Sequence, residues 1–350
     1  KMRTLSDYTY DRFTDWQTSR SIRYKMQRQV NRATDIRQVV KFGMLNDPIK
    51  KTFKTNTAAR PASQVNPLEM VAAAQQTTIM GPGGISNQRV IDNSINLKLV
   101  NPSHLGFLDP VKTPESDRTG VILRLPTGVK KVNGEAKMPL YNLKTGRMEY
   151  LGPTQFHNVS VVLPDQVTWE NGKPKPKFDE VEMSQVGNKL SKGKFKDAQY
   201  VVRHPSQIFS LTTNLIPFLG STSGNRATYA GFHLEQAVSL KNREAPLVQV
   251  GTGVKDPAID SFEGILGRQA GHVALKSGTV TAVKKDGIFI KGKDGKTHEV
   301  QLYDHFPLNE PKSMLVSTAT VKVGDQVTAG QSIADSNYTK GGKLALGTNL

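Results

Sequence analysis

The run Gly220-Ser-Thr-Ser-Gly224-Asn225-Arg226 is where residue types and spacing come nearest to anion chemistry. Small, flexible residues lead into a planar, permanently charged guanidinium. The apolar spacing that follows, at Ala227, Ala230, Leu234, Ala237 and Val238, predicts a helix over 225–240 whose first amides also favour anions. The run is not a P-loop, which needs Gly-x-x-x-x-Gly-Lys before Ser or Thr; here the spacing is wrong and the run ends in Arg. Arg226 therefore reads as an anion ligand, with a surface arginine paired to Glu235 or to solvent as the plainer alternative. Other chemistry is hard to find. The histidines, at 104, 157, 204, 233, 272, 298 and 305, show no metal-ligand spacing. Carboxylates form no cluster that would hold two magnesium ions. The absence of cysteine excludes disulfides, thiolate metal sites and a cysteine nucleophile. A chain with this inventory is not expected to be a complete enzyme by itself.

The elements that must position Arg226 sit in a strongly basic protein. Lys and Arg number 47 against 30 Asp and Glu, a net charge of +17 on 350 residues, with 37% hydrophobic residues. Such a surplus implies a polyanionic partner, and nucleic acid is the commonest; a membrane surface or an acidic protein is the weaker alternative. No apolar run approaches the roughly 18–20 residues that cross a bilayer, and the start lacks the apolar stretch of a signal peptide. The chain begins with Lys rather than Met, so it is expected to be a piece of something larger.

The fold class expected is α+β in several modules. Residues 1–96 read as a basic helical segment ending in a Gly-Pro-Gly-Gly turn, 97–260 as a mixed, mostly β core, and 261–350 as a small barrel-like β module. In the first, Ile22, Met26, Val30 and Ala33, then Ile36, Val39 and Val40, recur at helical spacing. Asn66 is a plausible cap before a helix that Pro67 starts. Gly81-Pro82-Gly83-Gly84 forbids regular structure and marks a tight turn or a close approach. In the second, 121–125, 159–163 and 200–202 read as strands, 206–219 as core, and the basic stretches 173–177 and 189–196 as exposed loops. In the third, 278–283, 286–291 and 298–302 alternate as strands joined by Asp-Gly turns.

Several runs, in one order, resemble the β subunit of multisubunit DNA-directed RNA polymerases. Asn66-Pro67-Leu68 followed by Met80-Gly-Pro-Gly-Gly84 is similar to the family's Asn-Pro-Leu…Leu-Gly-Pro-Gly-Gly. Asn101-Pro-Ser-His-Leu-Gly106, Thr113-Pro-Glu115 and Gly120-Val-Ile122 resemble His-Pro-Thr-His-Tyr-Gly…Glu-Thr-Pro-Glu-Gly…Gly-Leu-Ile. Asn214-Leu-Ile-Pro-Phe-Leu219, Asn225-Arg226-Ala227, Gln236-Ala-Val238 and Pro246-Leu-Val248…Gly251-Thr-Gly253 follow Ser-Leu-Ile-Pro-Phe-Leu…Ala-Asn-Arg-Ala…Arg-Gln-Ala-Val…Pro-Leu-Val-Gly-Thr-Gly. Val321-Lys-Val-Gly-Asp325 and Leu344-Ala-Leu-Gly347-Thr-Asn349 correspond to Val-x-x-Gly-Asp and Leu-Ala-Leu-Gly-x-Asn. The resemblance covers about residues 55–350. It departs at Lys112, where the motif has Glu, at Ser116-Asp117-Arg118 for Gly-Pro-Asn, and at Ala72–Thr78, a basic stretch in the family. Departures on this scale look like the split β subunits of large bacteriophages.

The resemblance implies that Arg226 contacts the incoming triphosphate, and that Asn225 and Gln236 lie beside the nucleic acid, with Gln236 at the RNA backbone. Arg60 and Arg118 would add phosphate contacts, and Glu115 would shape the loop at the downstream edge of the hybrid. A His, an Arg and a Ser that help to hold rifampicin in the family are Ala73, Gln76 and Thr78 here. Nucleotidyl transfer would be Mg2+-dependent, with the metal on an Asp triad of a β′-like partner. The remaining β portion, template DNA, RNA transcript, NTPs and a promoter-specificity factor complete the implied partners, with no membrane. The expected location is the host cytoplasm during infection or the virion. Two other classes stay open on the residues alone: a non-catalytic nucleic-acid-binding or virion scaffold protein, and a carrier domain built on 321–332.

Overall fold

The computed structural model describes residues 3–350 apart from Thr57, Ala58, Arg60, Ala62, Pro82, Ser86, Pro311 and Lys312. The basic N-terminal stretch is helical, in α1 (Leu5–Thr14), α2 (Trp16–Val30), α3 (Ile36–Val39) and α4 (Asn46–Lys54). Acidic caps set the boundaries. The Asp7 carboxylate accepts the Thr4 amide at 2.7 Å, Asp15 accepts the Thr18 amide between α1 and α2, and Asp35 accepts the Arg37 amide at the head of α3. Asp7 also receives Lys131 Nζ at 2.5 Å, which ties α1 to the strand Lys130–Val132. Within these four helices only Pro48 and Thr52 are buried, so the helical spacing read at Ile22, Met26 and Val30 serves no deep core.

Helix α5 (Pro67–Ala74) begins as its sequence expects: Asn66 Oδ1 accepts the Leu68 and Glu69 amides, and Pro67 occupies the first turn. The strand Gln76–Thr78 then pairs antiparallel with Ile122–Arg124. Only the second of these was expected, because Gln-Thr-Thr has no apolar alternation to announce a strand. Between them the chain turns at the glycines. Gly83 has φ +81°, and Gly84 packs so closely that an added Cβ would lie 2.1 Å from the Ile79 carbonyl oxygen. Helix α6 (Gln88–Asn93) follows.

The middle of the chain forms a seven-stranded sheet, in the order 189–194, 180–185, 161–162, 200–201, 135–142 and 130–132, with 148–151 also paired to 135–142. All pairings are antiparallel except 161–162 with 200–201. Helix α7 (Pro153–His157) buries Phe156 against Phe107, Met138 and Leu140. Two basic stretches depart from the loops expected of them. Lys173–Pro176 pairs with Val167–Glu170, and Lys189–Lys194 is an edge strand of the sheet. Their lysines and prolines remain largely outside, where they keep an open edge from pairing with another chain; composition hid the strand because it was protecting it.

Helices α8 (Leu211–Asn214), α9 (Gly224–Gln236) and α10 (Phe262–Ala270) meet α5 around Leu68, Leu211, Leu215, Phe262, Leu266 and Leu344. The C-terminal strands match the reading closely: Thr297–Gln301, Gly287–Gly292, Gly278–Val283 and Gln326–Val327 form one antiparallel sheet over Val280, Ile288, Ile290 and Ile333. A further sheet joins His272–Val273, Ser332–Ser336 and Ser317–Ala319. The chain is thus mixed α and β, mostly β in its C-terminal half. Among the described residues no helix is long and apolar enough to cross a membrane.

Candidate nucleic-acid interface

The candidate interface rests on a buried polar platform. Asp109 is wholly buried: Oδ1 accepts the Val111 and Lys112 amides at 2.8 and 3.3 Å, and Oδ2 accepts the Ser210 amide and the Thr213 hydroxyl, each at 2.7 Å. One carboxylate so fastens the loop after residue 109 to the head of α8. Lys112, 2% exposed, then runs under α9, with Nζ 3.2 Å from Glu235 Oε2 and 3.5 Å from the centre of the Phe232 ring. Gly231 leaves room for it, since a Cβ there would meet Lys112 Cδ and Nζ at 3.3 Å. Burial pushes the Lys112 pKa down and the Glu235 charge opposes that shift. Glu235 also accepts the Thr212 hydroxyl at 3.0 Å and lies 4.0 Å from Arg124.

Asn66 fixes the far end of α9. Its side-chain amide donates to the carbonyls of Leu234, Glu235 and Ala237 at 3.1, 2.9 and 2.8 Å, while its oxygen caps α5. These bonds satisfy the carbonyls that a helix end leaves unpaired, so α9 stops at Gln236, short of the expected 240.

With Ala227, Gly231 and Glu235 turned inward, Arg226, Tyr229, His233 and Gln236 follow one another along the outward face of α9. At 1.5 Å per residue the row spans about 15 Å. The Ser223 hydroxyl oxygen accepts the Arg226 amide at 3.4 Å, and Asn225 is exposed in the first turn. The Arg226 guanidinium is exposed and makes no ion pair among the described residues; the alternative pairing with Glu235 is absent, because Glu235 lies on the opposite face with Lys112. The Tyr229 hydroxyl donates to Glu115, which brings the 113–115 loop beside Arg226. That hydrogen bond raises the Tyr229 pKa, and the nearby Arg226 charge works the other way. Arg118 is exposed on the adjoining turn, where its carbonyl accepts the Val121 and Ile122 amides. Arg60 lies outside the described residues. Tyr229 and His233 were missed in the sequence although they stand three and seven positions after Arg226, the helical signal that would have found them. Phe218 departs from the core expected over 206–219: it is 75% exposed with φ +56°, a left-handed conformation rare for a bulky residue, in the run that leads to α9. Among the described residues no three His, Asp or Glu side chains gather as a metal site.

The exposed row of one arginine with a tyrosine, a histidine and a glutamine thus stands on a buried polar platform in a basic chain of mixed α and β structure. Residues 61–129, from the approach to α5 through the strand Ile122–Arg124, match the family model RNA polymerase Rpb2, domain 3. The chain is 31% identical over 312 residues to the DNA-directed RNA polymerase subunit beta of Prochlorococcus marinus (strain MIT 9312), an alignment covering 86% of this chain and 27% of that protein. The corresponding subunit of Gloeobacter violaceus (strain ATCC 29082 / PCC 7421) is 31% identical over 310 residues, 86% of this chain and 26% of the relative. The chain therefore spans about a quarter of the length of the curated relatives it matches. It is a divergent relative of the RNA polymerase β subunit.

Proposed function

We propose that this chain is a β-subunit portion of a multisubunit DNA-directed RNA polymerase of the split bacteriophage type, forming one wall of the active-site cleft. The observation that carries the reading is the row Arg226, Tyr229, His233 and Gln236 on α9, held by the Lys112–Glu235 pair beneath it and by Asn66 at its end. Arg226 grips the triphosphate of the incoming NTP, and Asn225 and Gln236 lie along the RNA. Gln236 holds sugar or phosphate with an uncharged amide, which lets a translocating product leave. Glu115, tied to Tyr229, shapes the loop beside the nucleotide, and Arg118 and Arg60 neutralise phosphates of the hybrid. The segments 1–96, 97–260 and 261–350 are successive modules of this portion.

The described carboxylates do not fit a catalytic Mg2+ site, since no three of them gather in one place. The metal and its Asp triad belong to a β′-like partner, and this chain contributes positioning and charge neutralisation. Its other partners are the remaining β portion, template DNA, RNA and a promoter-specificity factor, in the infected host's cytoplasm or in the virion.

Arg226→Ala in the assembled enzyme tests the reading. A charge-assisted hydrogen bond of about 1.5–3 kcal/mol predicts a loss in kcat/KM of about ten- to hundredfold, equal for all four nucleotides because phosphate carries no base information. Lysine should restore only part of it, since it keeps the charge and loses the fork. Unchanged incorporation kinetics on a preassembled hybrid scaffold would remove Arg226 from the site.

A further inference from the structure

Helix α2 carries a pattern that neither the α9 interface nor the family resemblance uses. Its fifteen residues contain Arg20, Arg23, Lys25 and Arg28 and no acidic residue, and none of them is buried. Trp16, Arg20, Tyr24 and Arg28 stand four apart, so aromatic ring and guanidinium alternate along one stripe of about 18 Å. Arg20 lies over the Trp16 ring at 4.7 Å and Arg28 over the Tyr24 ring at 5.9 Å, while the rings themselves remain 66% and 60% exposed. A merely solvated helix face mixes charges of both signs and pairs them at this spacing. Here the arginines have aromatic partners instead of carboxylates, and two large rings stay in water.

We propose that the Trp16–Arg28 stripe binds single-stranded nucleic acid. A single strand asks for both halves of the pattern: cations along its phosphates and flat rings on which unpaired bases stack. A duplex keeps its base faces stacked inside and would leave Trp16 and Tyr24 unused. An acidic protein would answer the arginines and leave the rings uncovered by bases. The stripe lies in residues 1–54, outside the matched residues 61–129, and it does not depend on the role given to α9.

The chain has two tryptophans, which makes the test optical. Trp169 packs edge-on against Tyr141 at 5.1 Å under Arg203, whereas Trp16 is open to a base. Titrating the full chain with oligo(dT) or oligo(U) should quench tryptophan emission, and Trp16→Phe should abolish the quench while binding persists. Trp16→Ala with Tyr24→Ala should weaken binding, followed by anisotropy, by about tenfold or more. Arg20→Gln with Arg28→Gln should lower the slope of log K against log salt by about 1.4, the value for two phosphate contacts on a single strand. Arg226→Ala with Gln236→Ala should leave the Trp16 quench intact, so failure of the α9 reading would be visible separately. An unquenched Trp16, duplex DNA bound as tightly as the single strand, or displacement of the oligonucleotide by an equal charge of polyglutamate would each overturn the proposal.

Discussion

Lys112 and Glu235 form a buried ion pair, each carrying the charge opposite to that of the residue the resembled motif has at its position. Nζ stands 3.2 Å from Oε2 with the two side chains 2% and 8% exposed. At position 112 the motif has Glu, and before the Gln of its Arg-Gln-Ala-Val run, where Glu235 stands, it has Arg. The two residues lie far apart along the sequence, and the contact they make joins the loop bearing Glu115 to the helix bearing Arg226.

The two charges can be exchanged. Lys112→Ala leaves the buried Glu235 with the Thr212 hydroxyl and with Arg124 4.0 Å away, and removing one partner of a buried pair costs about 3–5 kcal/mol. Lys112→Glu should be worse, since it adds a like charge. Lys112→Glu combined with Glu235→Arg should recover most of the stability, read from urea midpoints. A double variant no more stable than Lys112→Glu alone would show that the pair does not act as a unit.

Asn66 separates donor from acceptor. Asn66→Asp keeps the oxygen that accepts the Leu68 and Glu69 amides but loses the donor to three carbonyls of α9 and sets a negative charge against that helix end. A loss of about 1–3 kcal/mol is expected, with faster amide exchange near 234–237 and an unchanged start of α5. Asn66→Ala should loosen both ends.

Asp7 gives a pH signature. Its hydrogen bond from Lys131 is the first cause of a carboxyl pKa held well below the ordinary value of 3.8. A depressed carboxylate contributes stability that is complete above its unfolded pKa and fades only as pH falls through the folded one. The tie between α1 and the strand Lys130–Val132 should therefore persist at pH 4 and fail in stronger acid. Carboxyl NMR titration should place the Asp7 midpoint below the ordinary range, and Lys131→Ala should move it only part of the way back, since the Thr4 amide still donates to the carboxylate.

Ala73, Gln76 and Thr78 stand where the family's drug-holding His, Arg and Ser fall. Thr78 keeps a hydroxyl, but the resemblance implies that the ring at 73 and the guanidinium at 76 are lost, so the drug groups those two hold would lose their partners. The assembled enzyme should keep transcribing at drug concentrations that stop a sensitive cellular polymerase, as measured by RNA synthesis.

What could be read in advance followed local rules. Asn66 with Pro67, the strand at 278–283 and the start of α9 each announce themselves through caps, alternation or small residues at a boundary. The edge strand 189–194 did not, because the lysines that blunt an edge also imitate a loop. The end of α9 at Gln236 was hidden for a different reason: its carbonyls are satisfied by a side chain about 170 residues earlier in the chain. The buried pair was likewise out of reach, since no local pattern brings 112 to 235. Arg226 stood out by its place after a Gly-Ser run, but the row it heads needed the buried face of α9 to be known first.

The proposed role makes this chain one part of a split polymerase. The most direct measurement is to isolate the tagged chain from its native source, sequence the chains bound to it, and assay extension of an RNA primer on a hybrid scaffold. A stably bound partner bearing Asp-x-Asp-x-Gly-Asp is expected, with extension by the assembly but not by the isolated chain. Extension by the isolated chain, or a stable complex without such a partner, would contradict it.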